Sequence, residues 1–121
     1  MPYVDVILKP GEDQSVLQDV LNRELPDIVA PALSLDDQPL HEGKVTPSEI
    51  MVTSKIAQTT NGKDIEIRIL AHNYRRRVKT SERRKNQIVE GVKKSLAGSR
   101  KGLTVAVCLV LSHMAYGEFE L

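Results

Sequence analysis

Tryptophan is absent, phenylalanine occurs once, and all aromatics together make up 3% of the 121 residues. A core built on large rings is therefore excluded, and burial must come from Val, Ile, Leu and Ala. Cysteine also occurs once, as Cys108 within "VAVCLVL". An intrachain disulfide is excluded, and a buried, inert thiol is the expectation. Excess charge of one sign is missing: 17 basic and 16 acidic residues leave a formal charge of +1. That balance argues against a general nucleic-acid or membrane-surface binder and leaves local patches open. The longest apolar run, "LTVAVCLVL", is too short to span a bilayer as a helix. The opening segment has no basic region, and Asp5 interrupts its apolar run. No signal peptide is expected, and a cytoplasmic location is.

What is present reads as an ordinary soluble domain, with 40% hydrophobic and 27% charged residues. The length predicts one domain over residues 1–121. "YVDVIL" has the β-branched content of a strand. "GEDQSVLQDVLNREL" reads as a helix, with Val16, Leu17, Val20, Leu21 and Leu25 on one face and Glu12 and Asp13 near its start. Pro26 falls where this helix would continue, so the helix either kinks there or stops and restarts. "SEIMVTSKIAQT" reads as a second strand, "NGK" as a turn, and "DIEIRIL" as a strand alternating Ile65, Ile67 and Ile69 with Glu66 and Arg68. "TSERRKNQIVEGVKKSLAG" reads as a second helix with a Thr80 or Ser81 cap, a stripe of Ile88, Val92 and Leu96, and a terminal Gly98. "GLTVAVCLVLSHM" is the last strand.

These elements form one pattern used twice, over 1–61 and 62–121. Leu17, Leu21 and Leu25 superimpose on Ile88, Val92 and Leu96, Ile50 and Val52 on Val105 and Val107, and Ile7 on Ile69. The fold class predicted is α/β: a duplicated β-α-β unit giving a four-stranded mixed sheet with two helices on one face. "TVAVCLVL" is apolar on both alternating sides, and two helices cover only one side of a sheet. A second copy of the chain is the simplest cover for the other, so a homo-oligomer is expected.

The Met-Pro start has two readings. Proline has no N–H for a sheet ladder, so Pro2 is tolerated at strand entry as a structural residue. Alternatively Met1 is removed, and Pro2 becomes a secondary amine able to carry a proton.

"PYVDVILKPGEDQ", "LDDQPL" and "LSHMAYGEFEL", in that order, resemble the tautomerase superfamily, in particular the 4-oxalocrotonate tautomerase-like group. The duplicated unit resembles its longer branches, such as 5-carboxymethyl-2-hydroxymuconate isomerase and malonate semialdehyde decarboxylase. The resemblance implies a trimer and a processed N-terminal proline, matched here by Pro2, acting as a catalytic base. An α-amino group titrates near neutrality, and desolvation or nearby cations lower its pKa further. The resemblance also implies arginines after the third strand that grip a substrate carboxylate. Here "HNYRRRVKTSERRK" offers Arg75, Arg76 and Arg77, of which Arg75 and Arg77 are chosen because alternate residues of an extended segment share a side. The competing readings of this run are a solvated charged face or a nucleic-acid contact, since seven of the eleven residues from Arg75 to Lys85 are basic. Tyr116 matches a tail aromatic near the family's active site; otherwise Tyr116 and Phe119 staple the tail to a neighbouring subunit.

The implied function is cofactor-independent keto–enol tautomerisation of a small 2-oxo or 2-hydroxy acid, with no metal or organic cofactor. The alternatives are a decarboxylase or dehalogenase of the same superfamily, with Asp36, Asp37 or Glu42 activating water, and a non-enzymatic binding protein that retains Met1. Glu12 stands near where the family often carries an arginine. His41, His72 and His113 lack ligand-like spacing and read as ordinary surface or core histidines.

Overall fold

The computed structural model describes residues 2–35, 44–59, 62–113, 115 and 117–121. Strand β1 (Tyr3–Leu8) leads into helix α1 (Gln14–Leu33), and a 3₁₀ turn at Pro47–Glu49 precedes β2 (Met51–Ile56). The second half follows with β3 (Ile65–His72), the short helix α2 (Arg75–Lys79), helix α3 (Ser81–Ser95) and β4 (Val105–Ser112). One sheet contains all four strands in the order β2-β1-β3-β4. β1 runs parallel to β2, β3 runs parallel to β4, and the antiparallel β1–β3 pair joins the two halves. The duplicated β-α-β arrangement and the mixed sheet are as the sequence pattern predicts.

Period-two alternation decides which side of each strand is buried. Val4, Val6 and Leu8 of β1 and Ile65, Ile67, Ile69 and Ala71 of β3 pack under the helices. α1 contributes Leu17, Leu21, Leu25, Val29 and Leu33, and α3 contributes Ile88 and Val92. Each set recurs at intervals of four, one turn apart on a helix. Val16, expected on this face, is exposed. The two helices meet at Gly91, where an added Cβ would stand 2.7 Å from Ile28 Cγ2. The absence of a Cβ at Gly91 leaves room for the branched Ile28 side chain.

The opposite side of the sheet is open, and the register arranges it in rows. Met51, Tyr3, Leu70 and Val110 are partners across all four strands, and each is exposed. The adjacent row is Thr53, Asp5, Arg68 and Cys108, with Thr53 Oγ1 donating to Asp5 Oδ1 at 2.6 Å.

Several local expectations are corrected. Of the two readings of Pro26, the stop and restart is excluded: α1 runs on through Pro26 and Pro31. Each proline removes an intrahelical donor, at about 3 kcal/mol in a helix interior. Buried Leu25, Val29 and Leu33 lie on either side of them, and that burial offsets the loss. Ile7 does not superimpose on Ile69: Ile7 lies on the open side and Ile69 under the helices, so an even offset inverts the faces. An offset of 63 carries Val4 onto Ile67, matching the Val4–Val52 and Ile67–Val107 pairs. Cys108 is exposed rather than buried, because β4 turns it to the open side. Glu66, expected in solvent, is buried, with Oε1 3.6 Å from Arg68 Nη2.

No helix among the described residues is long and apolar enough to cross a membrane.

Candidate active site

The β1–β3 register places the start of β1 beside the end of β3, since Tyr3 pairs with Leu70. Parallel pairing of β3 with β4 brings His72 beside Ser112 at the same end. Pro2, the segment from His72 to Arg77, and His113 therefore share one end of the sheet. Pro2 is buried and shares the parity of Val4 and Val6. Its carbonyl accepts the Met51 N–H at 3.2 Å, so its backbone is tied to β2 as well as to β1. A proline nitrogen at this position costs the ladder no donor if it lies at the strand's entry.

Arg75, Arg76 and Arg77 do not form an extended segment. They open α2, and successive helical positions are about 100° apart, so Arg75 and Arg77 point in different directions. Arg75 is exposed, whereas Arg77 is only 3% exposed. The Arg77 Nε donates to Leu33 O at 2.8 Å, and its Nη1 to His72 O at 3.1 Å. Its guanidinium lies 4.9 Å from the Tyr74 ring centre, a cation–π contact. Burial lowers its pKa from the ordinary arginine value; Tyr74 opposes that shift and the Arg84 charge adds to it.

Arg84 completes this arrangement. It is 6% exposed, with Nη1 donating to Ala32 O at 2.8 Å and Ser34 O at 2.9 Å, and Nε donating to Thr80 Oγ1 at 2.7 Å. α1 carries no basic residue in its own last turn. Arg77 and Arg84 supply from α2 and α3 the cations and donors that a helix C-terminus favours. The basic run is thus not uniformly a solvated face.

His72 and Tyr74 meet edge to face with ring centres 4.6 Å apart, and His72 lies 6.3 Å from His113. In the sequence these histidines read as ordinary surface or core residues. Their position at the ends of paired β3 and β4 is a consequence of topology that spacing along the chain does not reveal. Arg84 did leave a signal: Arg84, Ile88 and Val92 recur at intervals of four, so a buried arginine heads the apolar stripe of α3. Tyr116, Asp36, Asp37, His41 and Glu42 lie outside the described residues. No group of His, Cys, Asp and Glu suited to a metal ion occurs among the described residues.

No protein-family model and no curated protein sequence matches the chain. Solved structures do. A 5-carboxymethyl-2-hydroxymuconate delta-isomerase superimposes with a TM-score of 0.59 at 13% identity, covering 100% of this chain and 87% of that one. A fused 4-OT, described as a wild-type symmetric trimer, gives 0.54 at 15% identity over 92% and 85%. A malonate semialdehyde decarboxylase gives 0.53 at 12% identity over 98% and 92%. The chain has the tautomerase fold.

Within the tautomerase fold, the end of the sheet where β1 starts carries a buried proline and a group of arginines. Pro2 is not among the lining residues of the cavity beside α3 and β4, of the one at Asp5–Ile7 and Arg68, or of the one at Ser34 and Arg84.

Proposed function

We propose that this protein is a cofactor-independent isomerase that interconverts the keto and enol forms of a small 2-oxo or 2-hydroxy acid. The observation that carries the reading is the burial of Pro2 at the sheet end that also holds Arg75–Arg77. With Met1 removed, the Pro2 nitrogen is a secondary amine. Burial of that amine would disfavour its protonated form, as a base working near neutral pH requires. The amine would take the proton from the enol hydroxyl or the α-carbon and return it at the other position. Arg75, exposed at the start of α2, would bind the substrate carboxylate. Arg77, held by Leu33 O and His72 O, would contribute fixed positive charge where enolate charge develops. Tyr116 is proposed to close over the substrate.

The reading extends to assembly. The exposed row Met51, Tyr3, Leu70 and Val110 is an apolar stripe across the whole open face. Covering it with identical subunits gives the homotrimer proposed here, and a neighbouring subunit would then supply the missing walls around Pro2. We place the chain's work in the cytoplasm, as a single domain with repeats over 1–61 and 62–121.

The test is tautomerisation of phenylenolpyruvate and 2-hydroxymuconate by the processed protein. Pro2→Ala should lower kcat/KM by at least about 100-fold, the usual contribution of a general base. Activity that rises with pH through the amine's pKa fits a proline base. Activity that needs the protonated amine identifies instead the decarboxylase or dehalogenase reading, and full activity in Pro2→Ala refutes any catalytic proline.

A further inference from the structure

A cavity of about 320 Å³ opens between the C-terminal end of α1 and the α2–α3 junction, and Pro2 is not among its lining residues. Four cationic side chains line it, Arg76, Lys79, Arg83 and Arg84, together with Ser34, Leu35 and Thr80. None of its described lining residues is acidic. Glu82, one residue before Arg83, is turned to Lys85 Nζ at 2.7 Å.

The helix terminus beside the cavity does not account for Lys79 and Arg83. Arg84 serves the α1 carbonyls from a buried position, and Arg77 serves them from outside the cavity. Lys79 and Arg83 are exposed and make no hydrogen bond, ion pair or ring contact among the described residues. Thr80 is held between the arginines, donating to Arg76 O at 2.7 Å and accepting from Arg84 Nε, which fixes the floor of the cavity.

We propose that this cavity is an oxyanion site for a phosphorylated small molecule. A single carboxylate balances one cation, whereas a phosphate ester or diphosphate carries two or more negative charges and several acceptor oxygens. Arginine forks match those oxygens in pairs, and a lysine adds a mobile point charge. The cavity is larger than one phosphate group, leaving space for the remainder of such a ligand.

The experiment is isothermal titration of the intact protein with inorganic pyrophosphate at constant ionic strength, with backbone amide NMR shifts recorded alongside. Saturable binding at one site per chain is expected, with shifts concentrated between Arg76 and Arg84. Lys79→Gln with Arg83→Gln should weaken binding at least tenfold. Lys93→Gln with Lys94→Gln, an equal loss of charge on the far end of α3, should leave it unchanged. Binding that never saturates, that weakens equally in both double variants, or that shifts amides elsewhere overturns the proposal. Tautomerase activity plays no part in this readout, so failure here and failure of the Pro2 reading are separable.

Discussion

Replacing Arg84 by alanine removes the donor shared by Ala32 O and Ser34 O and the one held by Thr80 Oγ1. The bond to Ala32 O is buried and that to Ser34 O partly buried. A buried acceptor stripped of its donor costs about 1–3 kcal/mol, and a partly wetted one about half of that. Loss of a cation at the end of a helix adds about 0.3–1 kcal/mol. Together these give about 3 kcal/mol for Arg84→Ala, a large fraction of the roughly 5–15 kcal/mol that holds a domain folded. Arg84→Lys keeps the charge and one donor, and should lose about half as much. Arg75→Ala, at an exposed position, should stay within about 0.5 kcal/mol. The assay is urea unfolding followed by circular dichroism at one fixed protomer concentration, because association shifts the midpoint. A cost below about 1 kcal/mol for Arg84→Ala, or a cost equal to that of Arg75→Ala, would refute the capping role.

Gly91→Ala should destabilise by about 1–3 kcal/mol in the same assay, although alanine is the better helix former by about 1 kcal/mol, because its Cβ meets the branched Ile28 side chain; unchanged or raised stability would contradict the close approach. Asp64 is held below the ordinary carboxylate range by hydrogen bonds from the Thr104 backbone and side chain, then by Arg100. A depressed folded-state pKa stabilises above the unfolded-state value and loses that contribution as pH falls toward the folded one. Asp64→Asn should therefore flatten the acid limb of the stability–pH curve, and an unchanged limb would contradict it. Leu70→Glu places charge in the apolar row Met51–Tyr3–Leu70–Val110; sedimentation velocity should show the wild type at three times the protomer mass and the variant as protomer.

Much of this architecture is legible in the chain. Alternation in "DIEIRIL" and four-residue stripes in both helices follow directly from which groups water excludes. Contiguous apolar runs are less legible. "VIL" in β1 and "VAVCLVL" in β4 are apolar at every position, so parity carries no signal, and neither the offset that pairs Ile7 correctly nor the exposure of Cys108 follows from the pattern. The length of α1 was hidden by Pro26 and Pro31, whose local cost is overridden by burial that only the tertiary structure supplies. In "NYRRRVK" a basic run has no apolar period to separate helix from extended chain, so the different surroundings of Arg75 and Arg77 could not be read. The proximity of Pro2 to that run rests on β1 and β3 lying antiparallel, which was not among the elements the sequence pattern specified.

2-Oxo-3-pentynoate is an alkyne conjugated to a 2-oxo acid and hence an acceptor for an amine nucleophile. Peptide mass spectrometry after treating the native protein with this reagent tests the proline base most directly. One adduct on a peptide beginning at Pro2, lost in Pro2→Ala and slowed when Arg75 is replaced, is the predicted result. A peptide that retains Met1, or an N-terminus left unlabelled, would contradict it.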